Sequence, residues 1–134
     1  MANEFNGTDE EWARWEAPLL KVEPILAAFA QSNGMYFSKN IKDWPERSLC
    51  WGSNIRRLIQ LYLVEPKELT FNLWLCASQD RNLSRFWKKE FLIEKKPIEE
   101  FSEQLPALLA EAAAKLNSWD EKQLEFVTKI GGII

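Results

Sequence analysis

Chemistry in a small protein starts from the side chains able to exchange protons, attack or coordinate, and here one type is missing. None of the 134 residues is histidine. Without imidazole there is no Ser-His-Asp or Cys-His nucleophile and no histidine general base. The two cysteines, Cys50 and Cys76, cannot complete a tetrahedral zinc shell alone, so no metal and no other cofactor is expected. Both stand in apolar surroundings, SLCW and LWLCA, where a reduced thiol acts as a small buried hydrophobe. There is no glycine-rich phosphate loop. An enzyme would have to work with carboxylates, Tyr36, Tyr62, Lys or Arg brought together by the fold, and catalysis is the least favoured reading.

The stretch LTFNLWLCASQD, residues 69 to 80, carries more promise. It alternates large apolar residues with smaller or polar ones, as a half-buried strand does. Its apolar beat, Phe71, Leu73 and Leu75, belongs on a core face. Its off-beat holds Thr70, Asn72, Trp74 and Cys76. Carrying the same parity into the flanking strands adds Arg56, Leu58, Gln60 and Tyr62 on one side and Phe86, Lys88, Glu90 and Leu92 on the other. Ile59, Leu61, Leu63, Trp87, Phe91 and Ile93 then join the core face. The mixed face admits two readings. Tyr62, Trp74 and Phe86, framed by Gln60, Asn72, Lys88 and Arg56, form a recognition patch, since Trp, Tyr and Arg concentrate interface energy; or the rings give ordinary cross-strand support, with Trp74 stacked beneath Lys88.

Other polar groups have simpler explanations. Asp80 and Arg81 sit in a loop whose composition suits a turn. Asp43, Glu46 and Arg47, beside Trp44 and Trp51, make a second polar-aromatic cluster in which Trp44 reads as a lid over the core edge. The acidic residues Asp9, Glu10, Glu11, Asp120 and Glu121 fall in first turns of helices, where the dipole favours negative charge. Lys88, Lys89, Lys95 and Lys96 form a basic strip suited to guarding a sheet edge.

The elements that would position these groups can be read in order. TDEE (8 to 11) is a capping box, followed by Trp12, Trp15, Leu19, Val22, Leu26 and Phe29 at helical spacing. Pro18 and Pro24 predict a kink or a break, and Gly34 a stop. Short strands MYFS (35 to 38) and SLCW (48 to 51) precede three longer ones, Ile55 to Val64, Leu69 to Ala77 and Arg85 to Ile93. With no helix between these strands the sheet should be antiparallel. Pro97 opens a helical pattern through Leu116, kinked or restarted at Pro106, and a second capping box at Ser118 to Glu121 predicts a short last helix with Trp119 inward. The expected fold is α+β, an antiparallel meander of 4-5 strands with N-terminal and C-terminal helices on one face, in a single domain over 1–134.

The totals narrow the partners. Lys+Arg 17 against Asp+Glu 20 gives net charge −3, which supplies no general attraction to nucleic acid or anionic lipid. No apolar run reaches the roughly 18 residues that span a bilayer, and the acidic start is unlike a signal peptide. The expectation is therefore a soluble cytoplasmic protein-binding module, in the manner of an inhibitor, immunity protein or chaperone, whose partner is another protein or a second copy of itself. The alternative is a small-ligand site in a cleft between sheet and helices.

Overall fold

Thr8 starts the first helix. Its hydroxyl accepts from the Glu11 backbone N–H at 3.1 Å, while the Glu11 carboxylate accepts from the Thr8 N–H at 2.9 Å, closing two of the donors that a helix start leaves open. The computed structural model describes residues 7–39, 45–53, 55–78 and 88–119. In chain order these form α1 (Asp9–Ser32), β1 (Tyr36–Lys39), β2 (Glu46–Trp51), β3 (Arg56–Glu65), β4 (Thr70–Ser78), β5 (Lys88–Lys96), two short 3-10 turns (Ile98–Glu100 and Ser102–Gln104) and α2 (Leu105–Ser118).

Of the kink or break expected in α1 the break does not occur; Pro18 and Pro24 lie inside one continuous helix. Each proline removes one N–H and frees the carbonyl four residues back, those of Arg14 and Leu20. Pro24 and Leu20 are both exposed, so the loss there falls on the solvent side, where a helix tolerates it best, whereas Pro18 is buried against the core. Gly34, at φ +66, follows the helix end as expected. Pro106 occupies the first turn of α2, which makes it a restart rather than a kink. The helix expected after Ser118 lies outside the described residues.

The five strands form an antiparallel meander in the order β1-β2-β3-β4-β5. In the central hairpin Ile59 pairs with Leu75, Leu61 with Leu73 and Leu63 with Phe71. All six are buried under the two helices, against Trp15, Leu19, Val22 and Leu26 of α1 and Leu105, Leu109 and Leu116 of α2. Those helical spacings of three and four put one stripe of each helix on the sheet.

β5 departs from the expected parity. Lys88 pairs with Ala77 and Glu90 with Leu75, so both face the helices; Lys89 pairs with Cys76 and Phe91 with Trp74, on the opposite side. The register then shifts between Leu73 and Trp74, and Ile93 returns to the helix side opposite Leu73. Bulges of this kind insert an extra residue and reset which side chain faces where. Phe91 is therefore not a core residue and Lys88 does not share a face with Trp74. Instead the Lys88 ammonium sits 4.8 Å from the Trp119 ring centre, and Glu90 pairs with Lys115 of α2. Trp87 lies outside the described residues.

Two arginines, Arg47 buried and Arg57 half-buried, fasten the helices to the sheet. Arg47, only 1% exposed, points under α1. Its Nε donates to Glu23 at 2.8 Å, its Nη2 to Glu16 at 3.4 Å and its Nη1 to the Glu46 carbonyl at 2.8 Å. Arg57 does the same for α2: Nε and Nη2 donate to the carbonyls of Leu116 (2.7 Å) and Trp119 (3.0 Å), groups that a helix end leaves open. A cation also suits the negative end of the helix dipole. Trp51 adds a bond to Asn117 at 3.1 Å.

Cutting Leu73 to alanine should cost about 2–5 kcal/mol through lost burial and a residual cavity, measured by denaturant titration. A second expectation concerns Glu23. Its desolvation acts to raise the pKa, but the hydrogen bond and charge of Arg47, with those of Lys39, outweigh it and leave the carboxyl below its ordinary 4.5. Such a group stabilises the fold above its unfolded-state pKa and loses that contribution as pH falls through the lower folded value. Glu23→Gln should therefore cost about 2 kcal/mol at pH 7, the value of a hydrogen bond to a charged group. In paired melts the gap from the parent should close as the pH is taken below 4.5.

Candidate functional site

The sheet face opposite the helices carries a connected polar and aromatic surface. Strand pairing aligns Glu46 with Tyr62 and Ser48 with Gln60 across β2 and β3. It aligns Gln60 with Trp74 and Tyr62 with Asn72 across β3 and β4, and Trp74 with Phe91 across β4 and β5. The parity that sends Leu61 and Leu73 inward sends these outward, and they meet as one group.

Trp74 is its centre. The indole N–H donates to Gln60 Oε1 at 2.9 Å. The Gln60 amide donates onward to Glu46 Oε1 at 3.1 Å and to Ser48 Oγ at 3.2 Å, and the Ser48 hydroxyl itself donates to Glu46 at 2.8 Å. Phe91 stacks on the Trp74 ring at 5.6 Å and 26°, Tyr62 meets it edge-on at 6.0 Å, and Lys89 places its ammonium 5.8 Å from the ring centre. Ring geometry of both types is favourable, as is a cation over an indole.

Asn72 organises the neighbouring corner. Its Nδ2 donates to the Tyr62 hydroxyl at 2.9 Å, and its Oδ1 accepts from the Lys95 backbone N–H at 2.8 Å. Lys95 has φ +50, unusual for a residue with a side chain. The side-chain bond from Asn72 supports that bend where β5 shifts register for a second time, between Leu73 and Phe71.

At the other end of the face, Arg56 Nη1 donates to the Gly52 carbonyl at 2.7 Å and Nη2 approaches Cys50 Sγ at 3.7 Å. Gly52 is fixed by sterics: its φ is +101 and a Cβ would fall 2.0 Å from the Ile55 carbonyl oxygen. Leu58 and Cys76 are buried here.

Gln60, Tyr62, Asn72 and Trp74 come together. Arg56 shares their face but stands at the Gly52 end, Lys88 turns to the helix side, and Phe86 lies outside the described residues. Three participants were not singled out: Phe91 and Lys89, because the bulges of β5 hide their parity, and Ser48, whose alternation with Glu46 in ERSLCW was the available signal. The expected Glu46–Arg47 cluster is divided by the sheet, with Glu46 on this face and Arg47 under α1. Its Asp43 and Trp44, and the loop residues Asp80 and Arg81, lie outside the described residues. Among the described residues no three His, Cys, Asp or Glu side chains group as a metal site.

Burial pushes the Cys76 thiol up to about 12, only partly offset by the nearby Lys89 charge. Thiolate is the reactive form. With a maleimide or iodoacetamide at pH 8 the folded protein should leave Cys76 unmodified, and unfolding in denaturant should release it. Peptide mapping by mass spectrometry reads both states.

The chain matches no family model, no curated protein and no solved structure, and what this face does has to be argued from its own chemistry.

Proposed function

We propose that this protein is a protein-binding module whose partner docks on the Tyr62–Trp74–Phe91 face of the sheet. The observation that supports it is a side-chain network spanning four strands that presents aromatic rings on the face away from the helices. Phe91 is 36% exposed and Tyr62 and Trp74 are half-buried. The hydrogen bonds that Trp74 donates to Gln60, Gln60 to Glu46 and Asn72 to Tyr62 fix these side chains before any partner arrives, which lowers the ordering cost of association. Large apolar rings beside satisfied polar groups are the usual make-up of an interface anchor.

The ring arrangement also favours a protein over a base or sugar. One face of Trp74 is taken by Phe91 and its surroundings by Tyr62 and Lys89, whereas nucleobases need open ring faces on which to stack. The net charge of −3 gives no attraction to phosphates. Among the described residues no helix is long and apolar enough to cross a membrane.

The small-ligand alternative draws less support. Between sheet and helices the space is filled by Leu61, Leu73, Leu75, Leu19 and Leu109. A groove of about 510 Å³ lies between the start of α1 and the β3–β4 turn, lined by Arg14, Trp15, Glu65 and Lys67. It opens to solvent and mixes both charges, unlike the concave, mostly apolar sites that take small molecules.

Phe91→Ala is the more discriminating variant, since the ring bonds to no polar partner and its loss should cost the fold only about 1 kcal/mol, the value of its stacking on Trp74. Partner affinity, measured by calorimetry on a protein captured with the parent chain, should fall by about 2 kcal/mol, the loss typical of an anchor. Trp74→Ala should lose at least as much affinity and also destabilise the fold, because the indole joins β3, β4 and β5. Unchanged affinity in both variants would remove this face from consideration.

A further inference from the structure

Charge on the candidate face is divided across the sheet. Glu46, on β2, accepts from Ser48 and Gln60. Lys89 and Lys95 stand on β5, three strand spacings or about 14 Å away. Both lysines are exposed, and among the described residues neither ammonium pairs with a carboxylate. Cations between the sheet and the helices are neutralised in place, Arg47 by Glu16 and Glu23 and Lys115 by Glu90. A chain of net charge −3 thus keeps two unmatched positive charges on the strand that carries its exposed ring, Phe91.

Strand pairing sets their spacing. Lys89 lies opposite Cys76 and Phe91 opposite Trp74, and the Lys95 N–H bonds to Asn72. Cys76, Trp74 and Asn72 are alternate residues of β4 on this one face, about 7 Å apart at each step. Cation, ring and cation therefore follow one another in a row. Trp74 holds the first two in place, with Phe91 stacked on it at 5.6 Å and the Lys89 ammonium 5.8 Å from its ring centre.

We infer, resting on the reading that a partner docks on this face, that the docking segment is an acidic, extended stretch of protein with an apolar side chain against Phe91 and a carboxylate on either side of it, at Lys89 and at Lys95. Alternate residues of an extended chain point the same way at the same step of about 7 Å, so the matching pattern is acid–x–apolar–x–acid. The contacts are made by side chains on the face; the two register shifts of β5 keep its edge backbone out of strand pairing. Glu46 repels acidic groups from the β2 side and so holds them over β5. A nucleic acid fits this row less well, because it brings many phosphates to two cations and offers no apolar side chain for the ring.

Selection on the parent chain from a library of random peptides of about ten residues, too short to hold an isolated helix, tests the pattern directly. Enriched peptides should carry the acid–x–apolar–x–acid spacing. One such peptide, measured by calorimetry, should bind at least about tenfold more weakly to a chain with Lys89→Glu and Lys95→Glu, where two attractions become repulsions. Lys21→Glu with Lys67→Glu, on α1 and in the β3–β4 turn, makes the same change in net charge and should leave affinity unchanged, with matching circular dichroism spectra for both chains. Raising the ionic strength from about 0.1 to 1 M shortens the screening length from about 10 to 3 Å and should close most of the gap between parent and the Lys89–Lys95 variant. A protein partner that loses affinity with Phe91→Ala but not with the two glutamates at 89 and 95 would leave the face standing and overturn its acidic occupant; one indifferent to both would remove the face as well. Enriched peptides that are neutral or basic, a selection that yields none, or tighter binding of a thymidine oligonucleotide than of any peptide would also overturn the inference.

Discussion

The register of β3 on β4 decides which way the side chains of the central sheet point. Leu61 opposite Leu73 and Ile59 opposite Leu75 set the aliphatic residues of both strands on one side, and a slip of a single residue would exchange them with Gln60, Tyr62, Asn72 and Trp74. The helices enforce the choice, because only the aliphatic set can be buried beneath Leu19, Leu26, Leu105 and Leu109. The same choice assembles the opposite face without further instruction. Trp74 reaches Gln60, and Asn72 reaches Tyr62, because they are direct cross-strand neighbours. Core and candidate site are two sides of one alignment.

The helices need separate attachment, and both obtain it from arginines on the sheet. Apolar packing sets how close a helix lies but is indifferent to small slides along its axis. Directional bonds remove that freedom. Arg47 reaches two carboxylates two turns apart on α1, which fixes that helix along its length. Arg57 grips the last carbonyls of α2, so its end position is set by β3. Stranding the buried Arg47 guanidinium is costly, and its contacts therefore penalise misplacement of α1 more sharply than they add net stability.

Sequence reading succeeded where the cause was local. The box at Thr8 and Glu11, the helical spacing of Trp12 through Leu26 and the alternation of Ile59 to Leu63 against Phe71 to Leu75 each follow from neighbours a few residues away, and the fold class follows from them. It failed where the cause was distant. KKEFLI, at 88 to 93, alternates poorly, and its parity is set by bulges formed against β4. Arg47 was grouped with its sequence neighbours Asp43 and Glu46 because its carboxylate partners, Glu16 and Glu23, lie 31 and 24 residues earlier. Pro18 and Pro24 predicted a kink or a break, and the helix runs through both without breaking. On the candidate face, the residues of β3 and β4 were legible from parity and those of β5 were not.

The bulge at Leu92 makes β5 unusual in how it would respond to a change in chain length. Deleting a residue from the middle of β4 would invert everything beyond it. Deleting Leu92 would not, because Phe91 and Ile93 already face opposite sides and would become ordinary successive positions opposite Trp74 and Leu73. The strand would instead straighten there. A straighter edge with part of its irregularity gone is more open to pairing with other chains, so at this position a shortened chain would keep its faces and lose part of its protection against aggregation.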